Sequence, residues 1–149
     1  MREADVIWTL IRFGADVNCK ELIKCNSPLH LTTDLEIIAC FVDHGADVDV
    51  PNANGNTPVF CTWSDYEPSD ANAYHRASSL LLELGADVNA TNTFSDTPLK
   101  FISEYGGYLD SIRQMIAHGA RLEAVNCKSR TALHAALAVG NTKVVSFIL

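Results

Sequence analysis

Residues 85–99 read Gly-Ala-Asp-Val-Asn-Ala-Thr-Asn-Thr-Phe-Ser-Asp-Thr-Pro-Leu, and this stretch contains the two motifs that decide the fold. The first motif, Gly-Ala-Asp-Val-Asn, also occurs at 14–18, as Gly-Ala-Asp-Val-Asp at 45–49 and as Gly-Ala-Arg-Leu-Glu at 119–123. The second motif begins twelve or thirteen residues after each glycine. Its four copies are Ser27-Pro28-Leu29-His30, Thr57-Pro58-Val59-Phe60, Thr97-Pro98-Leu99-Lys100 and Thr131-Ala132-Leu133-His134. Four paired motifs at nearly constant separation indicate an internal repeat.

Each motif marks a helix boundary for a physical reason. A Ser or Thr hydroxyl caps a helix by accepting a hydrogen bond from a free backbone N–H, and proline suits the first helical position. A glycine suits the end of a helix, where a left-handed residue is common. Apolar residues at three- and four-residue spacing predict a second helix in each unit, over Leu35–Val42, Ala77–Leu84 and Ser111–Ile116. The unit is therefore turn, helix, loop and helix, about 33 residues long.

This unit resembles the ankyrin repeat, and the resemblance covers essentially the whole chain. It implies an all-α solenoid of stacked helix-turn-helix units with β-hairpin fingers. An ordinary helical bundle would not repeat a glycine-capped motif at a fixed distance from a capped helix start. The expected plan is one ankyrin repeat domain over 1–149: an outer helix and finger of an incomplete repeat at 1–24, repeats at 25–54, 55–94 and 95–128, and a C-terminally truncated repeat at 129–149.

Two features depart from a regular array. The second unit is long, with an insertion near 61–74 between its helices, and insertions in repeat proteins map to loops. Both ends leave apolar residues without the polar face that terminal repeats usually carry. We expect the chain to be a fragment of a longer array, or a dimer contact to cover its ends.

Composition narrows the function classes. The chain has 149 residues, of which 48% are hydrophobic and 19% charged, as in ordinary globular proteins. A net charge of −7 argues against a role that depends on neutralising nucleic-acid phosphates. No apolar run could span a bilayer and no export signal is visible, so we expect a cytoplasmic or nuclear protein and no membrane partner. Five cysteines at irregular spacing suggest reduced thiols and no zinc site.

No catalytic pattern accompanies the repeats, and we predict no enzyme activity, cofactor, metal or small-molecule substrate. The resemblance implies that His30 and His134 are structural bridges between neighbouring hairpins. His44 and His118 precede capping glycines, where a cation suits a helix C-terminus. His75 lies near the insertion and has no nucleophile at a recognisable spacing.

The resemblance implies that a protein partner binds the concave face formed by finger tips and inner helices. Residues flanking the second motif would set specificity. By register, they are Ala53, Asn54, Asn56, Ser64 and Asp65 in the second unit, Thr93, Phe94, Asp96, Glu104 and Tyr105 in the third, and Cys127, Lys128 and Arg130 in the fourth. Phe94 stands at a finger tip, where it is either an exposed hot spot or packed against the adjacent finger.

The insertion is a second candidate contact. It contains Trp63, Tyr66 and Tyr74 among acidic residues, which could anchor a basic partner. The alternative is a solvated loop whose aromatic side chains fold back on the helices.

Two asparagines are candidates for modification. Ankyrin repeats in animal cells are frequently modified by an asparaginyl hydroxylase, and the family resemblance extends to its preferred context, with Leu10 before Asn18 and Leu81 before Asn89. The alternative is that both asparagines simply tie the hairpins together.

The sequence thus predicts a non-catalytic protein–protein interaction module. Two alternatives remain: a structural spacer within a larger ankyrin scaffold, and the substrate-receptor part of a ubiquitin ligase adaptor whose recruiting segment lies outside this chain.

Overall fold

The computed structural model describes residues 3–62, 71–104 and 109–149, and in these ranges the helices form two parallel rows. The inner row consists of a 3₁₀ helix, Pro28–Leu31, followed by α3 (Pro58–Cys61), α5 (Pro98–Glu104) and α7 (Ala132–Ala138). The outer row consists of α1 (Glu3–Arg12), α2 (Leu35–Asp43), α4 (Ala71–Glu83), α6 (Leu109–Ala117) and α8 (Thr142–Ile148). Each helix packs on the next helix of its own row, which is the stacking of a solenoid.

The motif glycines end the outer helices as predicted. Gly14, Gly45, Gly85 and Gly119 all have φ between 85° and 98°, the left-handed region that glycine enters without a Cβ penalty. The alanine after each glycine donates its N–H back to a carbonyl in the last turn, for example from Ala86 to Leu81 at 3.0 Å. This bond satisfies a carbonyl that the end of the helix would otherwise leave unpaired.

Burial of the second-motif apolar residue joins the units into one core. Leu29, Val59 and Leu99 are fully buried, in a cluster that runs from Ala4 to Val144. The fourth copy, Leu133, is only half-buried because no further unit stacks on it among the described residues. The core is therefore continuous along the array and thins at its C-terminal end.

The fingers are tight turns, and the described residues contain no β-strand, although the resemblance implies β-hairpins. In the second finger the Asn52 N–H donates to the Asn56 carbonyl at 2.9 Å, and the third and fourth fingers close in the same way. A pairing this short falls below the usual length of a strand. The chain reversal that the sequence predicts is present, but without the extended pairing.

Helix α4 begins at Ala71, inside the stretch 61–74 that the sequence assigned to the insertion. Tyr74, expected in the loop, lies in this helix and packs against the core. Residues 63–70, which include Trp63, Ser64, Asp65 and Tyr66, lie outside the described residues, as does Tyr105.

Candidate protein-binding surface

A ladder of side-chain amides positions the finger tips. In the third finger, the Asn92 Oδ1 accepts from the N–H groups of Phe94 at 2.9 Å and Asp96 at 3.0 Å. The Asn92 Nδ2 donates to the Asn56 Oδ1 of the preceding finger at 3.0 Å. The first asparagines of the second and fourth fingers, Asn52 and Asn126, repeat both roles. One side chain per finger thus fixes both the turn and its spacing from the previous finger.

Two of the predicted contact residues belong to the ladder. Asp96 is buried, its Oδ1 accepting from Asn126 Nδ2 at 2.8 Å and pairing with Lys100 Nζ at 3.1 Å. Asn56 is half-buried, and its Oδ1 is the acceptor for Asn92. Both side chains hold the fingers together, so they are poorly placed to contact a partner. Sequence register alone could not separate them from their exposed neighbours.

The other described candidates face solvent. Backbone hydrogen bonds join the tips into one row, from Ala53 N to Lys24 O at 2.8 Å, from Thr93 N to Asn54 O at 3.0 Å, and from Cys127 N to Phe94 O at 3.0 Å. Exposed along and beside this row are Ala53, Asn54, Thr93, Phe94, Glu104, Cys127, Lys128 and Arg130. We call this row, with the inner-helix residues beside it, the finger face.

The exposure of the Phe94 side chain bears on whether it packs against the adjacent finger. Its side chain is 57% exposed, so it is not packed away against the adjacent finger. It lines a cleft of about 140 Å³ between the third and fourth fingers, together with Lys128 and Arg130. The ring is therefore accessible from solvent at the finger tip.

Lys100 forms the floor of this cleft. Its ammonium group is buried and pairs with both Asp96 and Glu104. Burial alone would lower the pKa of Lys100, but the hydrogen bonds and charges of Glu104 and Asp96 hold that pKa above its ordinary value. The lysine therefore remains charged, and it neutralises two carboxylates that would otherwise face the cleft.

A larger cavity, of about 390 Å³, lies between the first and second fingers, and the sequence-based prediction did not include it. Ile23 at the first finger tip and Leu31 at the end of the 3₁₀ helix line it, and they are 88% and 65% exposed. The prediction took contact residues only from the second to fourth units. The signal was nevertheless present, since Ile23, like Phe94, is a large apolar residue in a tip.

The structural role of His30 is confirmed. Its Nδ1 accepts from the Ser27 N–H at 3.0 Å, so Nε2 carries the proton and donates to the Asn56 carbonyl at 3.0 Å. Burial lowers the pKa of His30, against the opposing effect of these backbone hydrogen bonds. His134 accepts from the Thr131 N–H at 3.2 Å, but no following finger is present in the described residues for it to bridge.

A second ladder runs along the base of the fingers. Asn18 donates from Nδ2 to the Gly45 carbonyl at 2.9 Å and accepts from the Asp47 N–H at 2.9 Å. Asn89 makes the same two bonds to the following unit, at 3.0 and 2.9 Å. Both candidates for hydroxylation therefore tie neighbouring units together.

Asp49 occupies the same ladder position in the second unit but can form only half of the pattern. Its Oδ1 accepts from the Asp87 N–H at 2.9 Å, whereas a carboxylate has no N–H to donate to the Gly85 carbonyl. Burial and the charges of Asp87 and Asp47 raise the pKa of Asp49, and the bond from the Asp87 N–H opposes this shift.

The described residues show no arrangement for metal chemistry. Within 3–62, 71–104 and 109–149 no three His, Cys, Asp or Glu side chains come close enough to hold a metal ion. In the same ranges no helix is long and apolar enough to cross a membrane.

Comparison with known proteins identifies the repeat. A family model for ankyrin repeats, described as three copies, matches residues 70–149. The human protein "Ankyrin repeat and SOCS box protein 6" is 35% identical over 101 residues, covering 64% of this chain and 23% of that protein. Its Pongo abelii counterpart is 34% identical over 101 residues, with the same coverage of 64% and 23%. The Caenorhabditis elegans "Transient receptor potential cation channel subfamily A member 1 homolog" is 32% identical over 80 residues, covering 53% of this chain and 6% of that protein.

The chain spans less than a quarter of the length of these relatives. Ankyrin repeats are protein–protein interaction modules and are generally non-catalytic. The matched model covers more than half of the chain. The chain belongs to the ankyrin repeat family.

Proposed function

We propose that this chain is a non-catalytic module that binds a protein partner through its finger face. The observation that carries the proposal is Phe94, a large apolar side chain that is 57% exposed at a tip beside a cleft. Burying such a ring against a partner is favourable. The contact set that we propose is Ala53, Asn54, Thr93, Phe94, Glu104, Lys128 and Arg130, with Ser64, Asp65 and Tyr105 added by register and Trp63 and Tyr66 as loop contacts.

Affinity capture from source-cell lysate tests this proposal. Wild type is compared with Phe94→Ser and with Phe13→Ser, a control that removes a still more exposed ring directly after α1. Circular dichroism first establishes that all three fold. We expect a protein that wild type and Phe13→Ser retain and Phe94→Ser loses. Equal retention by all three would contradict binding through the finger face.

The substrate-receptor alternative rests on one observation, the words "SOCS box" in the name of the human relative. Under it, the finger face would bind a substrate, and a recruiting segment outside this chain would bind the ligase. The full-length protein would then copurify with ubiquitin ligase subunits, and this chain alone would not. A scaffold spacer, in contrast, would tolerate Phe94→Ser without any change in captured proteins.

Two further proposals concern the cellular location of the protein and the modification of two asparagines. We propose a cytoplasmic or nuclear location, supported by five cysteines that form no disulfide, as is typical of reducing compartments. We also propose that Asn18 and Asn89 are hydroxylated in animal cells. Mass spectrometry of the native protein tests this, and the absence of an added oxygen on both peptides would refute it.

A further inference from the structure

Positively charged side chains lie at the finger tips of a chain that is acidic overall. The chain carries a net charge of −7, yet Lys24, Lys128 and Arg130 are all exposed at the finger tips. No carboxylate among the described residues forms an ion pair with any of these three. The tips of the second and third fingers, 52–55 and 92–95, carry no charged side chain. The finger tips therefore carry only positive side-chain charge, on a chain whose net charge is negative.

Two of the described carboxylates beside this face are paired with a cation. Asp96 and Glu104 share the buried ammonium group of Lys100. Glu21, at the base of the first finger, accepts from the Asn26 Nδ2 at 2.7 Å. Glu21 keeps its charge and lines the same cavity as Lys24, whereas at the fourth tip Lys128 and Arg130 are the charges that a partner meets.

Apolar side chains accompany the cations at both ends of the row. Ile23 precedes Lys24 in the first tip, and Leu31 lies beside the same cavity. Phe94 shares its cleft with Lys128 and Arg130. Each end of the finger face thus pairs exposed apolar surface with positive charge, with a neutral polar stretch between them.

The backbone hydrogen bonds between tips make this a continuous row and set its length. Neighbouring packed units are spaced by roughly 8–10 Å, so the first and fourth tips are about 24–30 Å apart. An extended peptide rises about 3.3 Å per residue and covers this distance with eight or nine residues.

We propose that the partner presents to the finger face an extended acidic segment with apolar side chains near both of its ends. One apolar side chain occupies the cavity at Ile23 and Leu31, and another packs on Phe94 with a carboxylate beside Lys128 and Arg130. This inference rests on the proposed function and specifies the chemistry of its partner. Electrostatic complementarity of this kind steers association and excludes basic competitors.

Selection from a random 12-residue peptide library displayed on phage tests the inference, because it requires no identified partner. We expect wild type to enrich peptides that combine Asp or Glu with Leu, Ile or Phe. A synthetic copy of an enriched peptide should bind Lys128→Glu/Arg130→Glu about tenfold or more weakly, and its affinity for wild type should fall as salt is raised. The control is Arg12→Glu/Lys143→Glu, which makes the same change in net charge on the outer row and should bind like wild type.

Several results would overturn the inference. Enrichment of basic or uncharged peptides, no enrichment, or equal weakening by both double variants would each do so. So would tighter binding of a 12-nucleotide single-stranded RNA with the same dependence on Lys128 and Arg130. If lysate capture depends on Phe94 while the library yields no acidic sequence, the proposed function stands and this inference fails.

Discussion

Replacing Asp49 with Asn should stabilise the array. At the equivalent ladder positions, Asn18 and Asn89 each donate to the carbonyl of the next motif glycine, at 2.9 and 3.0 Å. Asp49 keeps the accepting half of this pattern but has no donor for the Gly85 carbonyl. An asparagine amide would supply the missing bond between the second and third units, without any change in side-chain size.

The expected gain is about 1 kcal/mol, the net contribution of one neutral hydrogen bond. Removing a carboxylate near Asp47 and Asp87 acts in the same direction, but solvent screens these charges, so it adds little. For a chain of this size, about 1 kcal/mol raises the melting temperature by roughly 2–4 °C.

The gain also depends on pH. The pKa of Asp49 is raised in the folded protein, so the folded state binds the proton more tightly than the unfolded state. The stability of the wild type is therefore lowered most above that pKa, where Asp49 is ionised. The wild type regains this stability as the carboxyl becomes protonated. The advantage of Asp49→Asn should be largest at neutral pH and should shrink as pH falls toward about 4.

Urea unfolding at several pH values measures both effects. Asn89→Asp makes the reverse change and should lose about as much as Asp49→Asn gains. Asp43→Asn alters the net charge equally at an exposed position outside the ladder and should leave stability nearly unchanged. A neutral or destabilising Asp49→Asn, or a gain that Asp43→Asn matches at every pH, would refute the reasoning.

Other predictions concern single positions and are all measured by urea unfolding. Gly55→Ala should lower the free energy of unfolding more than Gly140→Ala does. Both glycines have positive φ (73° and 69°), but only at Gly55 would a Cβ lie 2.9 Å from a backbone atom, the Thr93 N. Equal losses would contradict close contact between the fingers. Leu99→Ala should cost about 2–5 kcal/mol and Leu133→Ala clearly less, because only Leu99 is fully buried; similar costs would mean that a further unit covers Leu133. Because the pKa of His30 is lowered in the folded protein, the unfolded state takes up the proton first as pH falls. The stability that neutral His30 contributes is therefore present above the ordinary histidine pKa. It is lost as pH falls from that pKa to the lower pKa of the folded state. His30→Gln should remove this acid-side loss, and an unchanged pH profile would contradict the bridge.

The sequence predicted the repeat well because its signals are local. A left-handed glycine or a capping hydroxyl acts within one or two turns of its own helix, so the boundaries at Gly45 or Thr131 can be read from neighbouring residues. The apolar positions Leu29, Val59 and Leu99 followed from register in the same way.

The sequence predicted the finger face less well because its residues depend on contacts between units. Asp96 was expected to contact a partner, whereas its burial depends on Lys100 in its own unit and on Asn126 in the next. Tyr74 was assigned to a loop because no local signal marks where α4 begins. Ile23 and Leu31 were missed because the contact register was transferred from the second unit onward.

Site-specific photo-crosslinking in source cells tests the central claim most directly. A benzophenone amino acid is placed at Phe94 on the finger face and, as a control, at the exposed Glu83 on the outer row. The account predicts a crosslinked protein from position 94 and none from position 83. Crosslinks from position 83 alone, or from neither position, would contradict binding through the finger face.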